Sequence, residues 1–170
     1  MTSNIHQKFI KGISTIEILI VVAFISIGLT SLLGVISYSL RISILVKETT
    51  QANFMAQEAI EAVRNFRDGT SWNTNGLRDY IPTGATTSNP YHPELDATFN
   101  PPKWKLVSGT EQIGSFTRKI VFERVSRDGN YNIEQIYNQG NDNSDTRKVI
   151  VTIFWKDKEV KLVTYLTNWK

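Results

Sequence analysis

The chain has 170 residues, of which 41% are apolar and 21% charged, and its mean hydropathy lies slightly below zero. It contains no cysteine, which excludes disulfides, thiolate zinc sites, iron–sulfur clusters and a cysteine nucleophile. Its two histidines, His6 and His92, are too few for a multi-histidine metal centre, and the net charge of +3 brings nucleic acid forward as a partner to be weighed. The length suits one domain, or one domain plus an appendage.

The amino-terminal residues 1–12 are polar and basic, with Lys8 and Lys11. From Ile18 to Leu40 there follow 23 residues without a charge, closed by Arg41. A helix crossing a bilayer needs about 20 apolar residues, whereas the core of a secretory signal has about 7–15. The run therefore predicts a membrane-embedded helix, although Ser37-Tyr38-Ser39 offers small residues of the kind found at a signal cut site. Lys8 and Lys11 on one side balance Arg41 and Lys47 on the other, so the positive-inside rule selects no orientation. Glu17 stands at the start of the apolar stretch. With Ser14 it has the S-x-x-E spacing of a capping box, and its carboxylate suits the positive end of a helix. An acid at membrane depth is also costly unless paired, which makes it a functional candidate.

The segment Lys11-Gly12-Ile13-Ser14-Thr15-Ile16-Glu17, followed directly by the apolar run, resembles the processing and assembly signal of type IV prepilins and type II secretion pseudopilins. The resemblance implies cleavage between Gly12 and Ile13 by a membrane aspartic peptidase, N-methylation of Ile13, and Glu17 as the assembly glutamate. The family prefers Phe or Met at the first mature position, so Ile13 is a departure. The implied partners are other pilin or pseudopilin subunits, the prepilin peptidase/N-methyltransferase, the inner-membrane assembly machinery and membrane lipid. The implied location is the inner membrane with the head outside the cytoplasm, and afterwards an extracellular pilus or periplasmic pseudopilus. The physical logic agrees: cleavage would free the Ile13 amine, a cation that Glu17 of an incoming subunit could neutralise in a low-dielectric setting.

Helical periodicity continues past Leu40. Ile42, Leu45, Val46, Thr49, Ala52, Ala56, Ala59, Ile60, Val63 and Phe66 recur at steps of three and four, an amphipathic stripe ending at Asp68-Gly69 with Gly69 as a C-terminal cap. A continuous helix from Ile13 to Asp68 would be roughly 84 Å long, too long for a compact domain of this size. Ser26, Thr30 and Gly34 form a small-residue stripe in its first half. Major pilins often carry a proline in this region, where Gly28 and Gly34 stand instead.

From Asp68 to Pro102 the composition predicts a long irregular connection, with a short strand near Arg78–Ile81. Strands are predicted at Lys103–Ser108 and at Phe116–Val125, the latter with an in–out pattern too blurred to assign its buried face. Arg147–Trp155 and Glu159–Asn168 predict a hairpin around Lys156-Asp157-Lys158. Gly129–Asp145 reads as a polar loop with a short strand around Ile133–Tyr137. The fold class expected is α+β, a long N-terminal helix packed on a small antiparallel sheet. Its divisions are a leader (1–12), a membrane and assembly half-helix (13–40), an amphipathic half-helix (41–68) and a β head (69–170). Pilin heads are commonly stapled by a disulfide, which this chain lacks.

Asp142, Asn143 and Asp145, with Asn138 and Asn141, are the residues to weigh for calcium, but their spacing does not match an EF-hand loop and a solvated turn is preferred. Without the leader, 17 basic side chains face 16 acidic ones, so the basicity largely disappears. Lys103, Lys105, Arg118, Lys119, Arg124, Arg127, Arg147 and Lys148, with Trp104 and Tyr131, remain a minority reading as a DNA-contacting face. His92 sits in Asn89-Pro90-Tyr91-His92-Pro93, read as a loop, and no G-x-S-x-G, P-loop or H-E-x-x-H occurs. The expectation is therefore a structural subunit without catalytic residues, metal or cofactor, more a minor pilin or pseudopilin than a major one. The alternative is a single-span membrane-anchored surface or adhesive domain that does not polymerise.

Overall fold

The computed structural model describes residue 12, residues 14–80 and residues 89–169. Helix α1 runs over Thr15–Gly69, followed by one turn of 3-10 helix at Leu77–Tyr80. The strands are β1 (Tyr91–Asp96), β2 (Lys103–Ser108), β3 (Glu111–Ile113), β4 (Phe116–Ser126), β5 (Asp142–Trp155) and β6 (Lys158–Thr167). The fold is α+β, with one antiparallel sheet in the order β2-β1-β4-β5-β6 and β3 paired on β4. Residues up to Val46 form one unit and those from Lys47 a second.

In the second unit, α1 packs on the sheet through Ala52, Ala56, Ala59, Ile60, Val63 and Phe66. Alanines at three- and four-residue steps lie along one side of a helix and let it approach the sheet closely. The stripe expected from Ile42 onward is thus buried only from Ala52, since Ile42 and Val46 are exposed. The buried face of β4 is Phe116, Arg118, Ile120 and Phe122, opposite Ile153, Val151 and Val149 of β5. The pattern is blurred in sequence because Arg118 occupies an inward position. Phe66, Tyr80, Tyr91 and Phe122 form an aromatic cluster with centroid separations of 4.9–5.9 Å, and the Phe66–Tyr80 and Tyr80–Tyr91 pairs are edge-to-face.

Several expectations are corrected. Arg78–Ile81 is not a strand over its described residues: Leu77–Tyr80 is a 3-10 turn with Leu77 in the core. The Asp79 carboxylate accepts the Asn75 N–H at 2.9 Å, and the Trp72 carbonyl accepts from Arg78 at 3.3 Å. The irregular connection contains β1, so His92 lies on a strand; β1 pairs along its length with β2 but meets β4 only at Tyr91↔Ile120. Pro93 is tolerated because that second side needs no ladder donor beyond Tyr91. Ile133–Tyr137 makes a single bridge, Arg127↔Ile133, and β5 begins at Asp142 within the segment expected to be loop. Strand β3 was not foreseen. Gly69 does not take the left-handed conformation of a cap; the Thr70 hydroxyl closes the helix on the Phe66 carbonyl at 2.7 Å.

Gly76 permits the turn after α1. A Cβ there would overlap the Ser71 carbonyl oxygen and stand 2.8 Å from that of Trp72, both backbone atoms. Gly76→Ala should destabilise the head by about 1–3 kcal/mol. The check is the thermal unfolding midpoint of the full chain in detergent micelles; an unchanged midpoint would mean the turn relaxes without cost.

Candidate processing and assembly segment

Gly12 is exposed, with no neighbouring atom within 4 Å of a Cβ built on it, a position open to a peptidase. Ile13 lies outside the described residues, as do His6, Lys8 and Lys11. The Ser14 carbonyl accepts the N–H groups of Glu17 at 3.0 Å and Ile18 at 3.2 Å, which starts the helix. Glu17 stands in the first turn with its side chain exposed. The sequence places the carboxylate where the helix dipole favours it, and immediately ahead of the apolar run.

Beyond Glu17 the apolar side chains cover every face, and Phe24, Ile27, Leu33, Val35 and Tyr38 are all more than 60% exposed. Exposed apolar surface on this scale marks a membrane or partner contact. Three hydroxyls within it are bonded inside the helix: Ser26 donates to the Val22 carbonyl at 2.7 Å, Thr30 to that of Ser26 at 3.0 Å and Ser31 to that of Ile27 at 2.9 Å. These three side-chain donors are thus satisfied without water, as hydrocarbon requires. The helix is long and apolar enough to cross a membrane and fits a single-pass anchor. A Cβ on Gly28 or Gly34 would meet no neighbouring atom.

In the head, Arg118 is almost fully buried and is held by Glu111 of β3 at 2.6 Å and by Glu58 and the Met55 carbonyl of α1, each at 3.3 Å. Glu48 makes a second grip, accepting from Trp155 Nε1 at 3.2 Å and Lys156 Nζ at 2.6 Å. Lys156 there adopts φ 51°, uncommon for a non-glycine residue. Sequence alone suggested neither grip, because the partners lie 60 and 108 residues apart.

The basic residues weighed for DNA are largely engaged by the protein. Arg147 is buried, donating to the carbonyls of Thr146 at 2.9 Å and Arg78 at 3.5 Å, and burial pulls its guanidinium below the usual arginine range. Lys105 pairs with Glu94, Arg124 with Asp142 and Lys148 with Glu123. Arg127 donates to the Tyr131 carbonyl at 2.6 Å, while Lys103 and Lys119 lie over the Phe99 and Phe154 rings. The acidic loop is similarly occupied. Asp142 accepts from the Tyr137 hydroxyl, Asn138 from the Gly140 N–H, and Asp145 from Asn168. Among the described residues, no group of three or more His, Cys, Asp or Glu gathers to hold a metal. Asp128 accepts the N–H groups of Asn132 and Asn130, which hold its carboxyl below the usual range and fix the turn that presents Tyr131. His92 Nδ1 lies 3.3 Å from the Gly109 carbonyl, a contact between β1 and the turn after β2.

No family model, curated protein or solved structure matches the chain.

Proposed function

We propose that the chain is a structural subunit, of the minor pilin or pseudopilin kind, processed between Gly12 and Ile13 and assembled into a filament through its amino-terminal helix and Glu17. One observation carries this reading: a Gly-Ile-Ser-Thr-Ile-Glu segment leads straight into an apolar half-helix that is exposed on every side as far as Ile44. A plain anchor needs the apolar run but neither the glycine nor a carboxylate at membrane depth, which is costly without a cationic partner. Freed by cleavage, the Ile13 amine of a neighbouring subunit supplies that partner. The peptidase/N-methyltransferase, sister subunits and inner-membrane assembly machinery follow as partners, and the head would stand outside the cytoplasm.

Mass spectrometry of the chain expressed beside a prepilin peptidase tests the first step. The expected mature terminus is Ile13, carrying one methyl group. An intact leader, or a terminus beyond Ser39, would overturn the reading. Cleavage at Gly12 followed by recovery only in membranes, never in a sheared filament fraction, would favour the anchored, non-polymerising domain.

A further inference from the structure

Beyond Val46, one large apolar side chain of α1 is left exposed among the described residues: Phe54, at 65%. It lies with Lys47, Thr50, Gln51, Met55 and Glu58 along an open groove on the helix. Packing on the sheet accounts for the buried stripe from Ala52 to Phe66, but it gives no reason for a phenylalanine on the uncovered side. The charges at the groove are also unequal. Glu58 is held by Arg118, and the adjacent Glu48 by Lys156 and Trp155. Lys47 is exposed and takes part in no ion pair among the described residues.

The first half of α1 carries the complement. Glu17 and Phe24 are both exposed and stand seven residues apart, two helical turns along nearly the same face. Lys47 and Phe54 repeat that spacing. Copies inserted in one orientation lie parallel. A single offset of 30 residues, from 17 to 47 and from 24 to 54, then sets Glu17 against Lys47 and Phe24 against Phe54 at once. The other cations of α1 offer no such match. Arg64 and Arg67 are paired with Glu61 and Asp68, and aligning Glu17 with Arg41 sets Phe24 against Glu48, which is already engaged. The offset of 30 also brings Gly28 opposite Glu58, where the lack of a side chain leaves Glu58 free to keep its hold on Arg118.

We propose that this groove receives the first half of α1 from a second copy of the chain, with Glu17 of one copy on Lys47 of the other and Phe24 packed on Phe54. The contact rests on the filament reading above and names a further partner for its assembly glutamate. A carboxylate has two oxygens, so Glu17 accepts from the Ile13 amine and from Lys47 together. In a water-poor setting the added cation offsets more of the cost of the buried acid, and the two rings cover each other. The two halves of the contact differ, so each copy keeps one of each for the next neighbour. A contact with an axial offset does not close into a ring, and it extends as a filament.

The chain has no cysteine, so introduced pairs report the contact directly. The full-length chain is produced in its native host with Phe24→Cys and Phe54→Cys together, oxidised, and the sheared filament fraction is run without reductant. A ladder of covalent multimers is expected. Phe24→Cys with Glu61→Cys, two turns further along the same face, should give none, because a disulfide joins only Cα atoms within about 7 Å. Lys47→Glu should lower the filament fraction about tenfold or more, and Lys47→Arg should preserve it. Neither should move the unfolding midpoint of the head, since Lys47 is exposed there. Wild-type filaments without the 24–54 ladder, or undiminished assembly of Lys47→Glu, would overturn the contact and leave the proposed function standing. A wild-type chain absent from every filament fraction would overturn both.

Discussion

Truncating Phe122 to alanine should remove about 3–5 kcal/mol from the stability of the head. The side chain is fully buried on β4, opposite Val149, with its ring 5.8 Å from Tyr80 and 5.9 Å from Tyr91. It therefore joins the sheet, the 3-10 turn and β1, and the cavity left behind cannot be closed by one neighbour moving. Domains of this size are stable by only about 5–15 kcal/mol, so the loss is a large share of the total. Urea denaturation of the full chain in micelles, followed by tryptophan emission, provides the measurement. Trp72 and Trp155 are both buried in the core and report its opening, whereas far-ultraviolet dichroism would be dominated by the long helix. A loss smaller than about 1 kcal/mol would contradict this account of the core.

Glu17→Gln should leave insertion and cleavage intact while lowering the sheared filament fraction by about tenfold or more. The substitution keeps a side-chain oxygen in the first turn of α1, so any capping contribution survives. It removes only the charge that would neutralise the Ile13 amine of a neighbour. Undiminished filament incorporation would refute the ion pair and leave Glu17 as a helix-start residue alone. Comparing Glu17→Gln with Glu17→Asp, which keeps the charge on a shorter arm, separates charge from reach.

The long helix and the β4, β5 and β6 strands follow from the order of residues because local signals agree there: charge-free length, three-and-four periodicity, and β-branched runs around a tight turn. Where the expectations fail, a distant partner overrides the local signal. Arg118 and Arg147 look like the solvated side of a sheet, but both are buried because carboxylates or carbonyls from other elements meet them. Strand β1 contains a proline and follows another, and only its pairing with β2 reveals it. Asp142–Asp145 is polar enough to pass for a loop, yet it belongs to β5, whose ladder to β4 extends as far as Ser126↔Asp142 across a bulge. The segment proposed for processing is the reverse case. Its information is entirely local in sequence, and the structure adds that Gly12 is exposed and that Glu17 stands in the first turn of a helix whose first half is apolar on its surface.

The guanidinium of Arg118 also sets the register of α1 along the sheet. A shift of α1 by one turn, about 5.4 Å, would carry Glu58 and the Met55 carbonyl away from Arg118 and leave a buried cation with Glu111 alone. Loss of that contact, in which Arg118 is buried and Glu58 exposed, adds to the resistance of Ile60, Val63 and Phe66, which are buried against the sheet. Under tension along its axis the helix is therefore held at discrete charged pins at Glu48 and Glu58, and pulling force would enter the sheet through β3, β4 and the β5–β6 turn.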